Sequence, residues 1–194
     1  APIVTLMGPE DQPSLAVTGM AVFQGGRMTG RLTPRQVDGY AWLSGGVKSR
    51  VLEMKLPQGY AVVQLVNLKT QAKPVLQQGN DEILLEVSVD GQFSIGELQG
   101  FEQMEMDGLA QLLEQEAAAA IAEEMRDCFE YTRSLGADIL GLGASISRRH
   151  PARWAALEQD WEARYRDITL QPHVTLEFMS PGALREGLDM RAAR

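Results

Sequence analysis

The sequence predicts an α+β fold: an antiparallel-rich mixed sheet of about five to six strands, packed against one long helix and two to three further helices. Three observations predict it. Alternating apolar and polar stretches, the period of a strand, fill the first hundred positions apart from one short helical pattern. A single helical stripe then runs from Met106 to Leu135. Two more helical patterns and a last alternating stretch close the chain.

Residues 1–14 carry Pro2, Pro9 and Pro13 around the apolar run Ile3–Leu6 and read as an incoming linker or a short strand. Leu15–Phe23 and Arg27–Leu32 flank Gly25-Gly26, which suits a two-residue primed turn. That turn pairs Gln24 with Arg27, and the simplest continuation sets Phe23 opposite Met28 and Ala21 opposite Gly30. Thr33-Pro34-Arg35-Gln36 has the form of a capping box with proline at the first helical position. The helix it opens puts Val37, Tyr40 and Ala41 on one face, flanked by Trp42 and Leu43, and stops at Gly45-Gly46.

Val51–Leu56 reads as a strand ended by Pro57-Gln58-Gly59. Tyr60–Lys69 is apolar on both faces at its start, which predicts a central strand. Lys73-Pro74 and Gly79-Asn80 mark the next connection. Glu82–Asp90 alternates, with Ile83, Leu85, Val87 and Val89 directed inward. Asp90-Gly91 then reads as a turn, though a two-residue loop mismatches the faces and the register calls for a longer loop or a bulge.

The long helix places Met106, Leu109, Leu113, Ala117, Ile121, Met125, Cys128, Thr132 and Leu135 on one stripe, with Leu112, Ala120 and Phe129 widening it. At about 1.5 Å per residue it spans roughly 45 Å and needs a sheet to lie on. Gly136 marks its end. A second helix is expected from Asp138 to about Arg149 and a third from Pro151 to Arg166, the latter aligning Trp154, Leu157, Trp161 and Tyr165. Gly141 and Gly143 fall inside the helical pattern at a cost of about 1 kcal/mol each, which close packing or a kink must offset. Ile168–Phe178 is a last strand, edge-like or bulged at Gln171-Pro172-His173. Residues 183–194 read as a loose tail.

Composition narrows the function. The chain has 194 residues, 44% hydrophobic, and a net charge of −8. Binding a phosphate backbone needs clustered Lys and Arg, and Arg148-Arg149 is the one adjacent basic pair, so nucleic acid is not an expected partner. No run of about 18 apolar residues is present to span a membrane. The single cysteine, Cys128, lies on the apolar stripe and reads as a buried small hydrophobe, not a nucleophile.

Motifs for chemistry are absent. The two histidines, His150 and His173, lack metal-ligand spacing. Gly141-Leu142-Gly143 lacks both the third glycine and the preceding strand of a dinucleotide fingerprint. Ser145 and Ser147 with His150 and Asp160 can be drawn as nucleophile, base and orienter, but no Gly-x-Ser-x-Gly elbow surrounds either serine. The adjacent Glu123 and Glu124 diverge on a helix, which makes them poor acid–base partners. The expectation is therefore no catalytic, cofactor-binding or metal-binding residues and no cofactor.

Two blocks of sequence carry a family resemblance. Gly19-Met20-Ala21-Val22-Phe23, Gly30-Arg31-Leu32-Thr33 and Gly39-Tyr40-Ala41-Trp42-Leu43-Ser44-Gly45 form the first; Gln36 stands where Glu is expected in many relatives. The second is Ala137-Asp138-Ile139-Leu140-Gly141-Leu142-Gly143, then Arg149-His150-Pro151, Trp154 and Trp161. Together they resemble the C-terminal domain of the Ger(x)C (GerAC-like) spore germination proteins over about residues 15–182. The resemblance implies the C subunit of a nutrient germinant receptor, a lipoprotein of the spore inner membrane anchored by an N-terminal Cys that this chain lacks. It further implies integral membrane subunits as partners and a non-enzymatic role in assembly or signalling. The alternative is a small-molecule (germinant) binding module, with Trp42/Tyr60 or Trp154/Trp161 lining a pocket.

Overall fold

The chain is described by a computed structural model covering residues 1–7, 14–77 and 82–179. The expected tail at 183–194 and the Gly79-Asn80 connection lie outside the described residues. Seven strands and five helices occur among the described residues, in the order β1 (Pro2–Met7), β2 (Ser14–Gln24), β3 (Arg27–Leu32), α1 (Pro34–Leu43), β4 (Arg50–Leu56), β5 (Gly59–Leu76), β6 (Ile83–Gln99), α2 (Met106–Leu135), α3 (Leu142–Arg149), α4 (Pro151–Leu157), α5 (Trp161–Arg166) and β7 (Thr169–Phe178). The α+β class holds, with its strands divided between two sheets: an antiparallel β1-β2-β3 and a mixed β4-β5-β6-β7. β7 runs parallel to β6, as it can because the helical segment crosses over between them.

In the first hairpin Gln24 pairs with Arg27 and Phe23 with Met28, as expected. A bulge then admits Thr29 as an extra residue, so Gly30 faces Val22 and not Ala21. The bulge turns Val22 and Leu32 into the core at 2% and 1% exposure.

Thr33 and Gln36 form the capping box reciprocally, with Pro34 at the first helical position. The buried face of α1 is Gly39, Trp42 and Leu43, which shifts the expected Val37/Tyr40/Ala41 face by part of a turn.

Two expected breaks in the four-stranded sheet are instead strand. Pro74 lies inside β5, opposite Leu85. The missing N–H is tolerated because β4 pairs with β5 only as far as Arg50–Leu65, leaving the other edge of this half without a strand among the described residues. Asp90-Gly91 is likewise no turn: β6 runs through it, and the irregularity sits across the ladder at Asn67-Leu68. Asn67 takes φ 54° there, and its amide donates to Gln92 Oε1 at 2.9 Å. A Cβ on Gly91 would stand 2.6 Å from Leu68 Cδ2, so this glycine makes room for a core leucine.

α2 has the expected bounds and buries Leu109, Leu113, Ala117, Ile121, Met125, Cys128, Phe129 and Thr132, while Met106 at its start is 53% exposed. It contacts both sheets and α1. Gly136 closes it in the left-handed conformation at φ 70°.

Candidate functional site

The segment after Gly136 departs most from its sequence pattern. The helix expected from Asp138 starts at Leu142, because Gly141 adopts φ 68° and interrupts the turn before it. Asp138 caps this helix from four residues ahead of its first residue. Its Oδ1 accepts the Leu142 amide at 2.8 Å, and its Oδ2 accepts the Gly143 amide at 2.8 Å. A carboxylate here also suits the positive end of α3. The indole N–H of Trp161 donates to the same Oδ2 at 3.2 Å.

Gly143 explains the tryptophan spacing. A Cβ at this position would stand 2.8 Å from Trp154 Cη2 and 2.9 Å from Trp161 Nε1. The glycine offsets its helix cost by letting two indoles lie against the α3 backbone, edge to face at 5.1 Å between ring centroids. The expected close packing is therefore on side chains, not on another backbone. The expected helix from Pro151 to Arg166 is broken by a 3₁₀ turn at Glu158–Asp160, and this bend brings Trp154 and Trp161 together. Tyr165 is fully buried, with its hydroxyl 3.4 Å from Thr132 Oγ1. The Arg166 guanidinium donates to the Leu135 carbonyl at the end of α2.

A second polar cluster joins α1 to α2. The indole of Trp42, at 0% exposure, donates to Glu124 Oε2 at 2.8 Å. Arg50 lies over the Trp42 ring and bridges Asp38 at 2.8 Å and Glu124 at 3.5 Å. Burial pushes the Glu124 carboxyl above the ordinary glutamate range, outweighing the indole hydrogen bond and the Arg50 charge that act the other way. Gly39 sits where a Cβ would collide with the Glu124 carbonyl, so α1 and α2 touch backbone to backbone. Beside them, the small side chain of Ala120 borders an open cleft of about 440 Å³ between β4 and α2, lined also by Glu124 itself and by Arg35, Glu53, Lys55 and Glu123.

Other candidates separate. Ser145 and Ser147 are half-buried on α3 and His150 is exposed at its end. No hydrogen bond joins either serine to His150, or His150 to Asp160, among the described residues. Cys128 is fully buried, and burial raises its thiol pKa to about 12, leaving it protonated at neutral pH. Tyr60 is half-buried on β5, and neither Tyr60 nor Trp42 lines the cleft between β4 and α2.

The sequence pattern starts the helix at Asp138, which hides its capping role, and Glu124 reads there as one of a divergent pair. An Asp three residues before a glycine and four before an apolar helix start was the usable signal for the first. Nothing local marks the second, whose partners lie 74 and 82 positions away.

The fold is a mixed α+β domain in which Asp138 ties α3 to Trp161 and Glu124 ties α2 to Trp42 and Arg50. Residues 18–182 match the family described as "Spore germination B3/ GerAC like, C-terminal", and the chain belongs to that family. Among solved structures it is similar to the GerBC protein, known from a crystal structure, with a TM-score of 0.75 at 14% identity. That similarity takes in 92% of this chain and 57% of the GerBC chain, so this chain spans little more than half the length of that relative. No curated protein sequence matches it.

Proposed function

We propose that this chain is the C-terminal domain of the C subunit of a spore nutrient germinant receptor. It acts without catalysis, by assembling with the receptor's integral membrane subunits or passing a signal through them. Family membership over residues 18–182 is the observation that carries the reading. The chemistry of the clusters supports its non-enzymatic part. Both Asp138 oxygens accept fixed donors, Glu124 is held by Trp42 and Arg50, and Cys128 is buried as a thiol. No helix among the described residues is long and apolar enough to cross a membrane. The family reading assigns attachment to the spore inner membrane to a lipid-modified Cys upstream in the parent protein, with residues 18–182 as the family domain.

Spores whose receptor C subunit lacks residues 15–182 test this. The membrane subunits should fail to accumulate or assemble, and nutrient germination should be lost. Normal assembly and germination would refute the proposal. A germinant-binding role draws no support from the aromatics, since Trp42 is buried and Trp154 and Trp161 lie against each other and Gly143. A thermal-shift series with amino acids and sugars separates the two readings, because a ligand of the folded state raises apparent stability.

A further inference from the structure

Seven large apolar side chains stand exposed among the described residues, and five of them belong to the three-stranded sheet: Val4, Leu15, Val17, Phe23 and Met28. Val4 pairs with Val17 across β1–β2, and Phe23 with Met28 across β2–β3. Isolated exposed residues need no explanation, but this concentration on one small sheet does. α1 and α2 pack on β2 and β3, whereas β1 is attached through its pairing with β2 and a Thr5–Thr18 hydroxyl contact of 2.8 Å.

We infer that the exposed apolar groups of β1–β2–β3 are the docking surface for the polypeptide that precedes Ala1 in the full-length protein. The inference rests on the reading of this chain as a C-terminal domain. Two observations select this occupant. The family is described as a C-terminal region, and the similar GerBC chain is considerably longer than its matched part. The point of entry is also fixed. Ala1 is held opposite Ala21, whose amide donates to the Ala1 carbonyl at 2.7 Å. At about 3.3 Å per residue, Phe23 lies roughly 7 Å and Val17 roughly 13 Å along β2 from that point, within reach of any domain of ordinary size.

Hydroxyl-radical footprinting of the full-length protein tests the inference with an internal standard. Val17 is 67% exposed and Val51, on β4, is 59% exposed, so an uncovered Val17 labels at least as strongly as Val51. The expected result is that Val17 and Leu15 lose most of their labelling while Val51 keeps its own. Val17→Glu should then raise labelling at Val4, with the Trp42 environment unchanged. Equal labelling of Val17 and Val51 in a protein that carries an upstream region overturns the docking surface alone. Protection that disappears on dilution assigns the surface to a second copy and also overturns it. A mature protein with nothing ahead of Ala1 overturns the C-terminal-domain reading itself.

Discussion

Trp161 donates its indole N–H to Asp138 Oδ2 at 3.2 Å across 23 positions, and that oxygen also caps α3 through the Gly143 amide. One carboxylate thus fixes both where a helix begins and where the bend at Glu158–Asp160 returns the chain. Asp138→Ala should remove the cap and leave the indole N–H without its acceptor, costing about 2–3 kcal/mol. Urea denaturation measures this, and a cost below about 0.5 kcal/mol would contradict the assigned role.

The two glycines of this turn should fail differently. Gly143→Ala brings a methyl to within 3 Å of both indoles, and overpacking of this kind costs about 1–3 kcal/mol. Gly141→Ala meets no neighbour within 4 Å but must hold φ 68°, at about 1 kcal/mol. Gly141→Asn should be nearly neutral, since asparagine tolerates that conformation. Comparing the three variants by denaturation separates a crowding cost from a backbone cost.

Glu124 gives the fold a pH signature. Its folded pKa is raised mainly by burial, so the folded state holds the proton more tightly than the unfolded chain does. The linked stability is fully present below the unfolded value of about 4.3 and is lost as pH rises through the folded value. Glu124→Gln keeps an oxygen for the Trp42 indole and abolishes this loss. The stability of the variant relative to the native chain should therefore improve across that window; parallel curves would exclude the effect.

Cys128 offers a simpler check. With its thiol raised to about 12 and fully buried, it should resist a thiol reagent at neutral pH in the folded protein and react on unfolding. Prompt labelling of the native chain would show that α2 does not lie as described.

The long-range elements were legible where a pattern acts locally. The Thr33/Gln36 capping box, the α2 stripe and the Gly136 stop follow from spacing alone. Pro74 and Asp90-Gly91 were not legible, because what permits them lies across the ladder: the absence of a β4 partner beyond Leu65 and the Leu68 side chain over Gly91. The division into two sheets was hidden for the same reason. Of the candidate site, the glycines and tryptophans were visible as a motif, but only the Asp138 hydrogen bonds explain why they occur together.

The central claim is that Asp138, Gly143, Trp154 and Trp161 hold the fold and receive no ligand. The chain has three tryptophans, so an amide–proton NMR correlation spectrum carries three indole signals. The Trp161 signal should exchange slowly with solvent, move in Asp138→Ala while the Trp42 signal stays, and remain still during titration with amino acids and sugars. A saturable shift of the Trp161 indole on adding any of these would contradict the account and place a binding site at this turn.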